Sequence, residues 1–212
     1  SEARASLSEM NAALELKVKL LERLTRDAKA KMIAHQLGEE LSKDEAEIDL
    51  LHAGLLIAKL DNEELDIQSY LAFVDQMGAE VRDAIGDAEP DEARIVAEVR
   101  RYMFEEGGFH GSRLDYNNES NSYLNEVIDD REGIPITLSV VFIELAGRAG
   151  AKTVHGVGLP GHFVAGYEKT EGETQLVDVY DGAVEINQQE ARRMVMGITG
   201  GNLRDDHLEP LS

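Results

Sequence analysis

The sequence contains no cysteine. Disulfides, thiolate metal sites and thiol nucleophiles are therefore excluded, so any catalysis must rely on another side chain. Long hydrophobic runs are also missing, because no stretch approaches the roughly 20 apolar residues that a membrane helix needs. No signal-peptide pattern opens the sequence. We therefore expect a soluble, cytoplasmic protein without a membrane partner.

Basic residues are scarce in this sequence of 212 residues. Lys and Arg number 21 against 42 for Asp and Glu, which gives a formal net charge of −21 at pH 7. A surface of this sign repels a phosphate backbone, so we do not expect nucleic acid as a partner. The acidic residues are spread along the chain and indicate a solvated surface. The sequence has no internal repeat and no low-complexity tract, and we expect no cofactor.

The first half of the sequence, residues 1–119, is predicted to form an all-helical subdomain of about four helices. The first helix is expected to end at Gly38. A second is expected around residues 48–56, a third after Asp66, and a fourth from Pro90. The first helix carries apolar residues at intervals of three and four, namely Leu7, Met10, Leu14, Val18, Leu21 and Leu24.

The second half, residues 120–212, is predicted to combine a buried helix with a small antiparallel sheet. A short helix is expected to begin at Asn121-Ser122, either of which could cap it. The stretch from Ile136 to Ala149 is apolar on nearly all sides, which is typical of a central helix. Period-two patterns predict strands at 153–157, 162–168 and 174–179. Four methionines at core-like spacings are assigned to packing, namely Met77, Met103, Met194 and Met196.

The last two predicted strands bring a histidine close to an aspartate. A turn at Glu171-Gly172 is expected to join them. If Glu168 faces Gly172, the register puts His162 directly opposite Asp178. Directly opposed side chains have Cβ atoms about 4.5–5.5 Å apart, whereas a slip of one residue would move one side chain to the other face. The sequence therefore predicts a contact between His162 and Asp178.

Three stretches of the sequence resemble the SirB family of transglutaminase-like proteins. They are Asn121-Ser122-Tyr123-Leu124-Asn125-Glu126-Val127, Arg131-Glu132-Gly133-Ile134-Pro135-Ile136 and Gly156-Val157-Gly158-Leu159-Pro160-Gly161-His162-Phe163. The segment 104–109 and the helical region before it are also similar to that family, so the resemblance covers nearly the whole chain. It implies an α+β fold in which the helical subdomain, 1–119, packs on a papain-like, transglutaminase-like core, 120–212, as one cooperative unit.

The resemblance also implies a catalytic site from which one part is missing. In the wider superfamily a cysteine at a helix start attacks an acyl carbon, a histidine activates the cysteine, and an aspartate orients the histidine. His162 matches the histidine and Asp178 the aspartate, which leaves a residual catalytic dyad. Pro135 falls at the position of the nucleophile and offers none. The nearest hydroxyl groups, those of Thr137 and Ser139, lie elsewhere on the helix.

The missing nucleophile leads us to expect a non-catalytic module that binds a protein or peptide in the superfamily's cleft. The alternative is a hydrolase or acyl transferase in which the dyad of His162 and Asp178 activates water or a hydroxyl. The candidate binding residues are Asn121, Asn125, Pro135 and Thr137.

The residue types also allow a metal site. His155, His162 and Asp178 would suit zinc or manganese, which accept imidazole and carboxylate ligands. We expect His155 instead to be a half-exposed strand residue, and we expect no metal.

Longer members of the family are similar up to about residues 208–211 and then continue into tetratricopeptide-like helices. The resemblance therefore implies that this sequence is either a short member or a piece that ends at a domain boundary.

Overall fold

The computed structural model describes residues 2–44, 47–86, 90–170 and 172–208. The helices are α1 (Glu2–Glu40), α2 (Leu50–Asp61), α3 (Ile67–Ile85), α4 (Glu92–Arg100), α5 (Leu124–Asp130), α6 (Pro135–Ala149) and α7 (Gln188–Thr199). The strands are β1 (His110–Gly111), β2 (Glu132–Gly133), β3 (His155–Leu159), β4 (His162–Thr170), β5 (Glu173–Asp178) and β6 (Val184–Ile186). A π-helical turn, Arg101–Glu106, extends α4.

The predicted helices of the first half are confirmed, and aspartates fix where three of them begin. The side chains of Asp49, Asp66 and Asp91 each accept a hydrogen bond from an amide in the first turn of α2, α3 and α4. The predicted end of the first helix at Gly38 is wrong, since α1 continues to Glu40. A glycine inside a helix costs only about 1 kcal/mol, which neighbouring contacts can offset.

Helix α6 is the central element that the sequence predicts. Pro135 occupies its first position and Gly150, with φ +113°, ends it in the left-handed conformation. Most of the helix is buried, including Leu138, Phe142 and Leu145, which have no exposed surface. The apolar character on nearly all sides is therefore explained by neighbours on nearly all sides.

The antiparallel sheet has the strand order β3-β4-β5-β6. Its hairpin register differs from the predicted one by two residues, because Glu168 pairs with Thr174 and not with Gly172. A bulge between Glu168 and Thr170 accounts for part of the irregular connection. Glu171 of the predicted turn lies outside the described residues. Strand β3, which is the first strand of this sheet in the chain, begins at His155, two residues later than predicted.

Helices α6 and α7 cover opposite faces of the sheet. The main core joins α2 to α6 with Ala165, Tyr167 and Val177 on one face of the sheet, so it contains residues from both halves of the chain. A second cluster joins Val164 and Leu176, on the other face, to α7. Neither α7 nor β6 is predicted from the sequence.

Three of the four methionines assigned to packing contribute to the interior. Met77 and Met103 are buried, and Met194 packs against the second cluster. The assignment of Met196 is wrong, because this residue is 47% exposed on the outer side of α7. Within the described ranges, no helix is both long and apolar enough to cross a membrane.

Candidate functional site

The sheet holds His162 and Asp178 in contact. His162 Nε2 lies 3.0 Å from Asp178 Oδ1, and the two side chains are only 8% and 7% exposed. The predicted register is wrong, yet a shift of two residues keeps both side chains on the same face. Diagonal neighbours in a sheet remain within reach of long side chains. The predicted contact therefore forms by a diagonal approach.

A cleft of about 530 Å³ opens beside this pair. Its floor is formed by Pro135, His162 and Asp178. One wall belongs to α7, whose residue Ile198 also lies so close to Gly161 that a Cβ there would meet Ile198 Cγ2 at 2.8 Å. The residues that line the cleft are Arg113, Tyr116, Pro135, Gly161, His162, Asp178, Tyr180, Asp181, Met194 and Ile198. The N-terminus of α6 and the dyad thus face the same space.

Tyr180 organises the other wall of the cleft. Its ring meets His162 and Tyr116 edge to face, with centroids 6.1 Å and 6.2 Å apart. The Arg113 guanidinium lies over the same ring at 5.7 Å, and its tip also pairs with Asp181 at 2.5 Å. The Tyr180 hydroxyl donates to the carbonyl of Ser112, and burial raises the pKa of that hydroxyl.

A chain of hydrogen bonds fixes this wall to the start of α6. Thr137 Oγ1 accepts from the Ile134 amide at 3.1 Å and donates to the Asn121 carbonyl at 2.8 Å. The Asn121 side chain then donates to the Asp115 carbonyl at 2.8 Å. These bonds hold the loop that carries Tyr116 above the first turn of α6.

The predicted binding residues divide into one that lines the cleft and three that do not. Pro135 lines it. Asn121, Asn125 and Thr137 are buried and lie outside the lining set. The Asn125 amide donates to Glu126 at 2.7 Å, and its Oδ1 is buried without a hydrogen-bond partner among the described residues. Of the four predicted binding residues, only Pro135 therefore lines the cleft.

The prediction that a helix starts at Asn121-Ser122 is wrong. These residues end a 3₁₀ turn, Glu119–Ser122, and α5 follows with Tyr123 at its cap position. Asn121 is buried, and its side chain bonds back to the preceding loop. The Asn121 side chain therefore donates to loop carbonyls and does not cap a helix.

The conceivable metal site is not formed. His155 pairs with Gly166 in the sheet, whereas His162 pairs with Leu159 at the other end of the same ladder. The His155 ring bonds to the Thr153 carbonyl at 2.7 Å. Across the described ranges, no group of three or more His, Asp or Glu side chains could hold a metal ion.

Sequence reasoning missed both walls of the cleft. Tyr180 follows Asp178 by two residues, and residues two apart in a strand lie on the same face. The sequence could therefore have predicted that Tyr180 lies on the same side of the hairpin as Asp178. Arg113 and Tyr116 belong to a long loop, and Ile198 belongs to a helix that was not predicted. Their convergence depends on tertiary packing, which leaves no periodic trace in the sequence.

Comparison with known proteins gives the chain relatives over most of its length. The family model described as the transglutaminase-like superfamily matches residues 68–212. A UPF0162 protein of Xylella fastidiosa (strain 9a5c) is 32% identical over 163 residues, which are 77% of this chain and 57% of the relative. A UPF0162 protein of Vibrio cholerae is 22% identical over 164 residues, 76% of this chain and 60% of the relative.

A much longer relative shares a shorter region with this chain. F-box only protein 21 of Homo sapiens is 29% identical over 91 residues, which are 42% of this chain and 14% of that protein. The chain therefore spans less than two thirds of the length of these curated relatives. No solved structure matches the chain.

Proposed function

Because the chain belongs to the transglutaminase-like superfamily, we propose that its cleft binds a protein or peptide segment without cleaving it. The dyad of His162 and Asp178 then acts as a recognition element. The proposal also assigns the chain to the SirB family within that superfamily. The resemblance implies that the sequence pattern of the SirB family lacks the nucleophile as well.

The composition of the cleft carries this proposal. Among the described residues that line it, none is a Ser, Thr, Cys or Lys. Pro135 stands at the helix start, where the superfamily's nucleophile would be, and has neither a nucleophilic group nor an amide hydrogen. The Thr137 hydroxyl is bonded to backbone groups on both sides. Ser139 is fully buried and does not line the cleft.

The chemistry of the cleft suits an extended peptide. When the His162 ring is neutral and its Nε2–H donates to Asp178, Nδ1 is an acceptor that a peptide N–H can satisfy. Tyr116 and Ile198 offer apolar walls, and the Arg113–Asp181 pair offers a donor and an acceptor at the rim. A volume of about 530 Å³ falls in the range of pockets that hold small ligands or a few side chains.

The relatives support a modular role. The region shared with F-box only protein 21 occupies 14% of that much longer protein. A domain that recurs as a small part of a long chain is suited to recognition, which can be combined with other functions.

A panel of random peptides displayed on phage tests the proposal. Peptides selected on the 212-residue chain should lose binding at least tenfold in an Ile198→Asp variant, because the substitution puts a charge into the apolar wall. Ile57→Asp is the matched control: Ile57 is 47% exposed on α2 and lies outside the cleft, whereas Ile198 is 52% exposed in it. The proposal fails if no selected peptide distinguishes the two variants.

A second candidate, the hydrolase or acyl transferase, is favoured by one observation. The His162–Asp178 bond is buried, and no described residue bonds to the other ring nitrogen, Nδ1. In this candidate Nδ1 removes a proton from water or from a hydroxyl, and the oxygen attacks an acyl carbon held beside the first turn of α6. The bond to the leaving alcohol or amine then breaks, and that group takes the proton back from Nδ1. The amides of Ile136 and Thr137 would face the oxyanion.

Hydrolysis assays with activated esters and peptide amides separate the two candidates. The second candidate requires turnover that disappears in His162→Ala and persists in Ile57→Asp. Turnover that is absent from the unaltered chain, together with peptide binding that depends on Ile198, would exclude the second candidate and leave the first.

A further inference from the structure

One wall of the cleft already binds a cation, and that cation belongs to the chain itself. The Arg113 guanidinium lies over the Tyr180 ring, 5.7 Å from its centroid, and Arg113 Nη2 is 2.5 Å from Asp181 Oδ1. An aromatic face beside a carboxylate attracts guanidinium and ammonium groups in general, and not the Arg113 group alone. We call Tyr180 and Asp181 the cation subsite.

The aromatic half of the cation subsite is held firmly by the fold. The Tyr180 hydroxyl donates to the carbonyl of Ser112. Strand β1 packs so closely against the ring that a Cβ on Gly111 would meet it at 2.6 Å. These contacts position the Tyr180 ring independently of the cation that lies over it.

Arg113, by contrast, is held weakly. The side chains of Arg113 and Asp181 are 65% and 62% exposed, and ion pairs this open to water contribute only about 0–1 kcal/mol. A cation–π contact at an exposed site adds about 0.5–1 kcal/mol. A cation on a bound peptide can therefore displace Arg113 into the solvent. The cation subsite is thus preformed, and its present occupant is exchangeable.

The charge of the cleft favours a cation over an anion as ligand. Its lining contains one cationic side chain, Arg113, and two carboxylates, Asp178 and Asp181, so the two carboxylates outweigh the single cation when His162 is neutral. The whole chain carries a net charge of −21, which attracts basic segments and repels acidic ones. An acidic side chain in the cleft would have to compete with Asp181 for Arg113 and would also lie near Asp178.

The remaining lining suits the rest of a basic side chain. Met194 and Ile198 are apolar and can cover the methylene groups of Lys or Arg while the charged end reaches the cation subsite. The His162 side chain is only 8% exposed, and no described residue bonds to its Nδ1. A neutral ring accepts at Nδ1, and Lys and Arg carry donors only. A carboxylate would match this nitrogen only if the ring gained a proton.

We propose that the peptide segment bound in the cleft presents a Lys or Arg side chain, which replaces Arg113 on the face of Tyr180 and beside Asp181. The inference rests on the proposed function, because it requires a peptide in the cleft. It adds a specificity for basic peptides. It also makes Arg113 an internal competitor that occupies the cation subsite when no peptide is bound.

Peptides selected on the 212-residue chain from a random phage library test the inference. In synthetic copies of these peptides, replacing one Lys or Arg by Gln should weaken binding about tenfold or more, as measured by fluorescence anisotropy. Asp181→Asn should weaken binding of the unaltered peptides about fivefold or more, because it removes the carboxylate of the cation subsite.

Asp75→Asn is the matched control for Asp181→Asn. Asp75 is 65% exposed and also pairs with an arginine, but it lies on α3 outside the cleft. Both variants change the net charge by the same amount, so a general attraction between an acidic chain and basic peptides would change equally in both. Equal effects of the two variants would overturn the inference.

Arg113→Gln distinguishes a competitor from a residue that contacts the peptide. Removal of a competitor should strengthen binding about threefold, which corresponds to the small contribution of an exposed ion pair, whereas removal of a contact would weaken binding. Arg193→Gln is the control for the change in net charge, because Arg193 is 70% exposed and does not line the cleft.

The outcomes separate this inference from the proposed function. Peptides whose binding depends on Ile198 but on no Lys or Arg would overturn the inference and leave the proposed function standing. The same holds for peptides that require Asp or Glu and bind Arg113→Gln less tightly. Dependence on Ile198 is measured with Ile198→Asn against Ile57→Asn, since these substitutions remove an apolar surface without adding a charge. A selection that yields no peptide dependent on Ile198 would overturn both proposals together.

Discussion

The Nε2 atom of His162 lies 3.0 Å from the Oδ1 atom of Asp178, at the floor of a cleft whose walls come from a loop and from α7. Both side chains are more than nine-tenths buried. Because water cannot replace a partner that is removed there, the contact is costly to break. The same contact orients the ring, and no described residue bonds to its second nitrogen, Nδ1.

Asp178→Ala should destabilise the fold by about 1–3 kcal/mol, because it leaves a buried ring N–H without an acceptor. Asp178→Asn keeps an oxygen at the same place, so the loss in the free energy of unfolding should be smaller, less than about 1 kcal/mol. Urea unfolding of the two variants, with His162→Ala and the double variant to complete a cycle, measures the coupling. Equal losses in Asp178→Ala and Asp178→Asn would mean that the hydrogen bond is not what holds the site.

Glu40 predicts a dependence of stability on pH. Its buried carboxylate accepts hydrogen bonds from Lys43, from the Asp49 amide and from His52. The Lys43 contact, above all, lowers the pKa of Glu40 from 4.5 to about 2. The stabilisation is therefore fully present above pH 4.5 and is lost as pH falls toward 2. At neutral pH it amounts to roughly 2–3 kcal/mol.

Glu40→Gln should remove this stabilisation. The difference in the free energy of unfolding between the variant and the unaltered chain should therefore shrink as pH is lowered. Urea unfolding at several pH values between 7 and 3 measures it. The neighbour Glu39→Gln is the control: Glu39 is exposed, and its substitution should change stability by less than about 0.5 kcal/mol at any pH. A constant difference across this range would contradict the assignment to Glu40.

Much of the fold is predictable because local chemistry fixes it. Apolar periodicity and residues that favour a helix start act within a few residues of their effect, and the predicted helices after Asp66, from Pro90 and over 136–149 are confirmed. The hairpin register fails for a physical reason as well. A bulge between Glu168 and Thr170 changes the count of residues in the connection, and nothing in the sequence marks the bulge.

The cleft is less predictable than the dyad within it. His162 and Asp178 lie near facing ends of two strands, so an approximate register is enough to bring them together. Arg113 and Ile198 line the same cleft only because α7 and a long loop pack over the sheet. Such contacts depend on the packing of elements that are distant in sequence, and one sequence does not encode them as a pattern.

Arg148 ties α6 to neighbouring helices through an ion-pair network. It bonds to Asp75 at 2.7 Å and to the Glu144 carboxylate, which lies one turn earlier. Burial raises the pKa of Glu144, and Arg148 opposes that rise. Arg148→Met keeps the packed stem but removes the charge, so it should cost about 2–4 kcal/mol at neutral pH.

The loss in Arg148→Met should be smaller at low pH than at neutral pH. With Arg148 gone, the pKa of Glu144 rises further, and a carboxyl whose folded pKa is raised is most favourable below that pKa, where it is protonated. Adding Glu144→Gln to Arg148→Met should recover much of the stability, because the buried charge is then removed as well. Urea unfolding at pH 5 and pH 8 distinguishes this from a packing effect, which would not vary with pH.

Two glycine substitutions should change stability in opposite directions. A Cβ on Gly111 would meet the Tyr180 ring at 2.6 Å and the Tyr180 carbonyl oxygen at 2.7 Å, whereas a Cβ on Gly147 would meet nothing within 4 Å. Gly111→Ala should therefore cost about 1–3 kcal/mol through overpacking. Gly147→Ala, at an exposed position inside α6, should stabilise by about 0.5–1 kcal/mol. Thermal or urea unfolding measures both.

Gly111→Ala should also disturb the cleft, because Tyr180 cannot move without changing its edge-to-face contact with His162. The His162 ring resonances in a proton–nitrogen or proton–carbon NMR spectrum report that change, since a displaced aromatic ring alters the shielding of its neighbour. Gly147→Ala lies far along α6 and should leave these resonances in place. If Gly111→Ala is destabilising but leaves the His162 signals unchanged, Tyr180 does not couple Gly111 in β1 to the dyad. The loop bonds from Thr137 and Asn121 alone then hold this wall of the cleft.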